Sequence, residues 1–146
     1  MFDFSAFTKV LIDDLIPFID ANFRTLVDQP NRAMAGLSMG GMQTNAIAME
    51  NLDVFSHIGI FSGGTVGDPA TAHNGVMADA KAFNTKVKVI FQSCGSKERP
   101  DSVRTNHEQL KAAPLTELVK RYLPRALAST AIVRPEKAAA PAFRPT

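Results

Sequence analysis

The chain has one cysteine, one tyrosine and no tryptophan among its 146 residues. Cys94 alone excludes an internal disulfide framework, and no Cys/His group has the spacing of a zinc site. We therefore expect neither a metal nor a cofactor. The scarcity of large aromatic rings also disfavours a carbohydrate-binding module, because sugar-binding surfaces usually stack on such rings.

Long apolar runs without charge are also missing. The N-terminal segment "MFDFSAFTKVLIDDLIPFID" has no basic leader and carries acidic residues within its apolar pattern. This pattern is typical of neither a signal peptide nor a membrane span. We predict no membrane partner, and the pattern leaves the cellular compartment open.

An excess of one charge is confined to the C-terminal part. Residues 1–113 hold 10 Lys and Arg against 12 Asp and Glu, a net charge of −2, whereas residues 114–146 hold 6 against 2, a net charge of +4. The basic part has only Tyr122 and Phe143 as aromatic residues, so we predict no nucleic-acid partner. Its Ala, Pro and Arg content predicts little regular structure beyond Pro124. We expect one domain over residues 1–113 and an irregular tail over residues 114–146.

The chain does contain a regular alternation of helix and strand patterns. Apolar residues recur three and four positions apart from Ser5 to Phe23, which predicts a helix, and Pro17 predicts a kink or a break in it. Beyond it, the predicted strands are "RAMAGL", "FSHIGIFSGG" and "KVKVIFQSCG", and the predicted helices are "GGMQTNAIAMEN", "VMADAKAF", "NHEQLKAA" and "LTELVKRYL". This order predicts an α/β fold, a mostly parallel sheet with helices on both faces.

One serine lies where the first of these strands meets the next helix, in Gly36-Leu37-Ser38-Met39-Gly40. Gly-x-Ser-x-Gly is typical of the strand-to-helix turn that exposes the nucleophile of serine hydrolases. The turn is strained and leaves little space for side chains beside it. We therefore expect that the positions of Gly36 and Gly40 require a very small residue. The backbone N–H of Met39 would stabilise an oxyanion, whereas its side chain is predicted to pack in the core.

The segments "RAMAGLSMGGMQT", "FSHIGIFSGG", "QSCGSKE" and "NHEQLKAA", in this order, resemble the esterase family of the α/β-hydrolases. The chain is most similar to family 1 carbohydrate esterases, the feruloyl and acetyl-xylan esterases, which are often secreted bacterial proteins. The resemblance implies a partial α/β-hydrolase fold and Ser38 as an acyl-enzyme nucleophile. It implies Glu98 as the triad acid, with Asp101 as the alternative. The implied substrate is a small ester or an acylated plant polysaccharide.

The chain departs from this family at both ends. Family members have further strands before the first helix and a histidine in a loop beyond the acid, which serves as the general base. Here that region reads "RALASTAIVRP", and a shifted reading frame after Ala113 is one hypothesis for it. We expect a structural hydrogen bond for His57, a solvated loop position for His73 and a helix position for His107.

Three functions follow from this pattern. The first is a serine ester hydrolase, and the second is an inactive esterase fragment that lacks the triad histidine. The third is a carbohydrate-binding or interaction module. The missing strands would leave a sheet edge exposed beside Ser38, so self-association through that edge is also expected.

Overall fold

The computed structural model describes residues 3–113, residue 115 and the backbone of residues 130–133. Strands and helices alternate along most of this part. The helices are Ser5–Lys9 (α1), Ile16–Asn22 (α2), Met39–Glu50 (α3), Ala80–Lys86 (α4) and Pro100–Ala112 (α5). The strands are Ala33–Leu37 (β1), His57–Phe61 (β2), Val89–Ser93 (β3) and Thr130–Val133 (β4). The predicted helix "LTELVKRYL" lies outside the described residues, apart from Leu115.

The sheet has the order β1-β2-β3-β4, and its first three strands are parallel. Leu37, Phe61 and Ser93 lie side by side at the carboxyl ends of these strands. This arrangement confirms the predicted α/β class with a mostly parallel sheet. Helix connections between parallel strands bring the residues that directly follow β1, β2 and β3 to one edge.

β4 pairs with β3 in the antiparallel direction, so Ile90 lies opposite Val133. The prediction of little regular structure beyond Pro124 is wrong for these four residues. The sequence Thr130-Ala131-Ile132-Val133 is mostly β-branched, and β-branched residues favour the extended backbone.

The N-terminal helix changes its winding before its proline. The backbone is α-helical over α1, follows a π-helix over Val10–Leu15 and continues as α2, which has Pro17 in its first turn. Proline has no N–H and its ring crowds the carbonyl of the preceding turn, so a locally wider helix accommodates it. The predicted disturbance at Pro17 is therefore a change of helix type.

One face of the sheet carries the buried core. Ile58, Ile60 and Ile90 are at most 1% exposed and belong to one apolar cluster with side chains of α3, α4 and α5. Neighbouring positions in the strands point to the other face, and there Ala33, Ala35 and Leu37 of β1 are exposed. Within the described residues, the face with odd-numbered positions is thus the more open one.

The described residues lack two features that other functions would need. No helix in this part of the chain is both long and apolar enough to cross a bilayer. No group of three or more His, Cys, Asp and Glu side chains there is placed to hold a metal ion.

Candidate functional site

Ser38 forms the turn between β1 and α3 at the carboxyl edge of the sheet. Its backbone has φ 55° and ψ −115°, a combination that L-residues rarely adopt. Two hydrogen bonds hold this backbone: Ser38 N donates to Phe61 O at 2.8 Å, and Ser38 O accepts from Met42 N at 3.0 Å. The turn reverses the chain within one residue and leaves Ser38 exposed. Local strain of this kind persists only where the surrounding structure fixes it.

The close approach of α3 to the sheet depends on glycines. A Cβ at Gly36 would lie 2.2 Å from the carbonyl oxygen of Gly40, which no real Cβ tolerates. A Cβ at Gly41 would lie 2.9 Å from the Cα of Gly63, which follows β2. A Cβ at Gly40 would meet nothing within 4 Å. The space is therefore short at Gly36 and Gly41 rather than at Gly40.

Met39 is the first residue of α3, where helical N–H groups have no acceptor within the helix. This end of the helix also carries the positive end of the helix dipole, so the N–H of Met39 favours a negative oxygen. The side chain of Met39 is 52% exposed, so the prediction that it packs in the core is wrong. The reason is its place at the start of α3, beside the exposed Ser38 turn.

Glu98 lies in the loop between β3 and α5, at the same edge of the sheet. Its Oε1 accepts a hydrogen bond from Ser62 Oγ at 3.1 Å. Ser62 directly follows β2, has φ 49° and donates its N–H to Ser93 O at 2.7 Å. Ser62 is the residue that sequence reasoning missed. Its signal was the Ser-Gly-Gly that ends "FSHIGIFSGG".

The alternative acid, Asp101, has a different neighbour. It lies in the first turn of α5, where its Oδ1 accepts from Arg104 Nη1 at 3.2 Å in an exposed ion pair. Glu98 is linked through Ser62 to the turn beside Ser38, because Ser38 N binds the residue before Ser62. Of these two carboxylates, Glu98 is the one that a hydrogen bond connects to the turn at Ser38.

None of the three histidines of the chain lies at this edge. His57 begins β2 beside Ala33, at the opposite end of the sheet and about 16 Å along the strand from Ser38 at ~3.3 Å per residue. Its Nδ1 is 2.8 Å from Ser56 Oγ, which confirms the predicted structural hydrogen bond. His107 lies on α5 as predicted, with its Nδ1 buried, and α5 packs along β3 and β4, two strands from β1.

His73 is half-buried rather than solvated, and it adopts φ 51° beside Asn74 and Gly75, which also have positive φ. It shares a cavity of about 840 Å³ with Glu50, the last residue of α3. A helix of twelve residues places this end roughly 17 Å from Ser38. Burial lowers the pKa of His73, against the opposing effects of the Glu50 carboxylate and a hydrogen bond with the Val66 backbone.

The chain matches known proteins along most of its length. The family described as "Putative esterase" matches residues 3–132. The endo-1,4-beta-xylanase/feruloyl esterase of Xylanibacter ruminicola is 49% identical over 107 residues, which are 73% of this chain and 13% of that protein. A solved structure of a protein named FAE has a TM-score of 0.57 and 23% identity, over 74% of this chain and 44% of that one. A solved ferulic acid esterase covers 72% of this chain and 39% of its own, with 17% identity and a TM-score of 0.36.

This chain is thus much shorter than the proteins it matches. It spans 13% of the xylanase/feruloyl esterase and less than half of FAE. The likeness to FAE is one of fold, because the identity is 23%. The relationship to the esterase family in sequence rests on the family match over residues 3–132 and on the identity of 49%.

Proposed function

Because the chain belongs to this esterase family, we propose that it carries the nucleophile of a carboxylic ester hydrolase and that this nucleophile is Ser38. The observation that supports the proposal is the backbone of Ser38, with φ 55° at a turn from a parallel strand into a helix. Such a turn exposes the hydroxyl and places the N–H of the next residue beside it. A serine in an ordinary loop needs none of this strain.

The chemistry assigned to these residues is acyl transfer. The Ser38 hydroxyl adds to the ester carbonyl carbon while a base removes its proton, and the negative oxygen accepts a hydrogen bond from Met39 N–H. Collapse breaks the carbon–oxygen bond to the alcohol, which leaves with the proton from the base. Water then adds to the acyl-enzyme, releases the acid and restores Ser38. Glu98 would orient the base and stabilise its charged form.

The base itself is not assigned to any histidine of this chain. His57 lies at the opposite end of the strand, His73 shares a cavity with Glu50 at the far end of α3, and His107 lies within α5. Without a base, the serine is a weak nucleophile, and only binding and oxyanion stabilisation remain. The second candidate function is therefore an esterase domain that is inactive as this chain alone. The positions of the three histidines favour it.

The proposed substrate class is a feruloyl or acetyl ester, either a small ester or one on a plant polysaccharide. It rests on the name of the relative that is 49% identical, a xylanase/feruloyl esterase. Assigning the substrate of that relative to this chain is part of the proposal, since the chain spans 13% of that protein.

A fluorophosphonate probe tests the nucleophile, with intact-mass and peptide-level readout on the folded chain. We expect one adduct, mapped to Ser38, because the strained turn and the Met39 N–H favour that hydroxyl. The adduct should vanish in Ser38→Ala and persist in Ser96→Ala, which removes an exposed serine from a loop at the same edge. Its formation should be slower than in an intact serine esterase by about 10³-fold or more, since a triad member is missing.

Each outcome decides one part of the proposal. No adduct on Ser38 in a folded protein, or adducts spread over several serines, would refute Ser38 as the nucleophile. An adduct formed as fast as in an intact esterase would refute the absence of a base. Protection of Ser38 by methyl ferulate, but not by methyl butyrate at equal concentration, would support the feruloyl class. Equal protection by both would contradict it.

A further inference from the structure

Ser62 is a half-buried serine at the carboxyl end of β2, and the reaction proposed for Ser38 gives it no part. Its backbone has φ 49°, in the left-handed region that residues other than glycine, asparagine and aspartate seldom enter. The N–H of Ser62 donates to Ser93 O at 2.7 Å, so β3 holds this backbone in place. Backbone strain that neighbouring structure maintains in this way is concentrated at functional sites.

The hydroxyl of Ser62 binds the carboxylate to which we assign the role of the triad acid. Ser62 Oγ donates to Glu98 Oε1 at 3.1 Å, across 36 residues of the chain. Glu98 lies in the loop that follows β3, where its own N–H donates to Gly95 O at 3.0 Å. The bond to Ser62 therefore brings a side chain that begins beyond β3 back to the end of β2.

Gly95 provides the space for this arrangement. A Cβ at Gly95 would lie 2.9 Å from Glu98 Oε1 and 3.3 Å from the carboxyl carbon of Glu98, closer than Cβ atoms ordinarily come. The φ of Gly95 is not positive, so the backbone there does not itself require glycine. The missing side chain at this position thus makes room for the carboxylate.

The end of β2 lies beside the end of β1, so the carboxylate comes close to the proposed nucleophile. Leu37 pairs with Phe61, and Ser38 N donates to Phe61 O at 2.8 Å. Ser38 and Ser62 each directly follow one of these strands. At about 4.8 Å between strands and ~3 Å for the hydrogen bond of Ser62, the Glu98 carboxylate is roughly 5–8 Å from the Ser38 turn. A base with a hydrogen bond on either side of its ring spans a distance of this size.

We propose that Ser62 is a positioning residue, which fixes the Glu98 carboxylate at the end of β2 so that Oε1 is bound and Oε2 is left for the base. The inference rests on the proposed function of Ser38. Ser62 acts through Glu98 and touches neither the substrate nor the reacting atoms. Glu98 needs such a tether because a long, exposed glutamate side chain otherwise samples several rotamers.

Imidazole in solution tests this role, because it supplies the base that the proposal assigns to no histidine of this chain. In the reaction with a fluorophosphonate, imidazole takes the Ser38 proton while the bond between Oγ and phosphorus forms and fluoride leaves. We expect imidazole to accelerate the labelling of Ser38, since Glu98 would orient the ring. The slope of the labelling rate against imidazole concentration then reports the position of Glu98, and the rate without imidazole reports the elbow itself.

Substitutions of Ser62 separate its hydroxyl from its backbone. Ser62→Gly removes the hydroxyl and tolerates φ 49°, so the slope should fall about fivefold while the rate without imidazole stays unchanged. Ser62→Asn should keep most of the slope, because asparagine tolerates the same backbone and its Nδ2 can donate to the carboxylate.

Gly95→Ala tests the same contact from the other side. The added Cβ would displace the flexible Glu98 carboxylate from Ser62 while both partners stay in the chain, so the loss of slope should match that of Ser62→Gly. Ser96→Ala is the matched control, because Ser96 is an exposed serine of the same loop, and it should keep the slope of the wild type.

The outcomes separate this inference from the function on which it rests. A slope that Ser62→Gly and Gly95→Ala leave unchanged would overturn the role of Ser62 while Ser38 stays the nucleophile. An equal loss in Ser96→Ala, an equal loss in the rate without imidazole, or a Ser38 adduct whose formation ignores imidazole would overturn it as well. No adduct on Ser38 with or without imidazole would refute the proposed function, and this inference with it.

Discussion

The substitution of alanine at Gly36 and at Gly40 should change the stability of this chain in opposite directions. Both glycines flank Ser38 in the same sequence motif, two residues before and two residues after it. The structure separates them: a Cβ at Gly36 would lie 2.2 Å from the Gly40 carbonyl oxygen and 2.3 Å from its carbonyl carbon, whereas a Cβ at Gly40 has no neighbour within 4 Å.

The magnitude at Gly36 follows from this contact. The offending atoms are backbone atoms, so α3 must move away from β1 by roughly 1 Å to reach ordinary contact distance, in a core that packs densely. Overpacking of this kind costs about 1–3 kcal/mol and occasionally more, and the reduced freedom of the unfolded chain returns ~0.5 kcal/mol. We expect Gly36→Ala to lower the free energy of unfolding by about 2.5 kcal/mol, the upper end of this balance.

At Gly40 the steric cost is absent, and only the favourable effect of alanine on the free energy of unfolding remains. The residue lies in the first turn of α3, and alanine is preferred to glycine in helices by about 0.5–1 kcal/mol. Urea unfolding of both variants, followed by circular dichroism, should show the transition of Gly36→Ala at lower urea and that of Gly40→Ala at equal or higher urea. At about 3 °C per kcal/mol, the melting temperatures should differ by roughly 10 °C. Equal losses in the two variants would refute the assignment of the steric constraint to Gly36.

Three further predictions use the same unfolding measurement. Because the pKa of His73 is lowered in the folded state, the unfolded state binds more protons below about pH 6.5, and the free energy of unfolding should fall as the pH drops below that value. His73→Asn should reduce this loss. A pH profile that the substitution leaves unchanged would contradict the lowered pKa. Asp79 Oδ1 accepts from Ala82 N at 2.9 Å as the N-cap of α4, so Asp79→Ala should cost about 1 kcal/mol, and no loss would contradict the cap. Asp20 and Arg32 form a 2.6 Å ion pair with both side chains about four-fifths buried, so Asp20→Asn should lower the free energy of unfolding by ~1 kcal/mol or more. Lys86 forms an exposed ion pair with Asp53, so Lys86→Gln should give no measurable change.

Most of the element order could be predicted from the sequence, because the core follows simple periodicity. The apolar segment "FSHIGIFSGG", closed by glycines, predicts β2, and the structure buries Ile58 and Ile60 of this strand. The observed start of a helix differs from the predicted one where a single capping side chain sets it. The helix expected over "VMADAKAF" begins instead at Ala80, because Asp79 caps it and leaves Val76 and Met77 in the preceding turns.

The candidate site was less predictable, because its neighbours come from separate loops. Ser38, Met39 and Gly36 are adjacent in sequence, so the turn motif identified them together. Ser62 binds Glu98 across 36 residues, and no periodicity connects two residues that meet only because two parallel strands end at one edge. The steric role of Gly63 against Gly41 has the same origin.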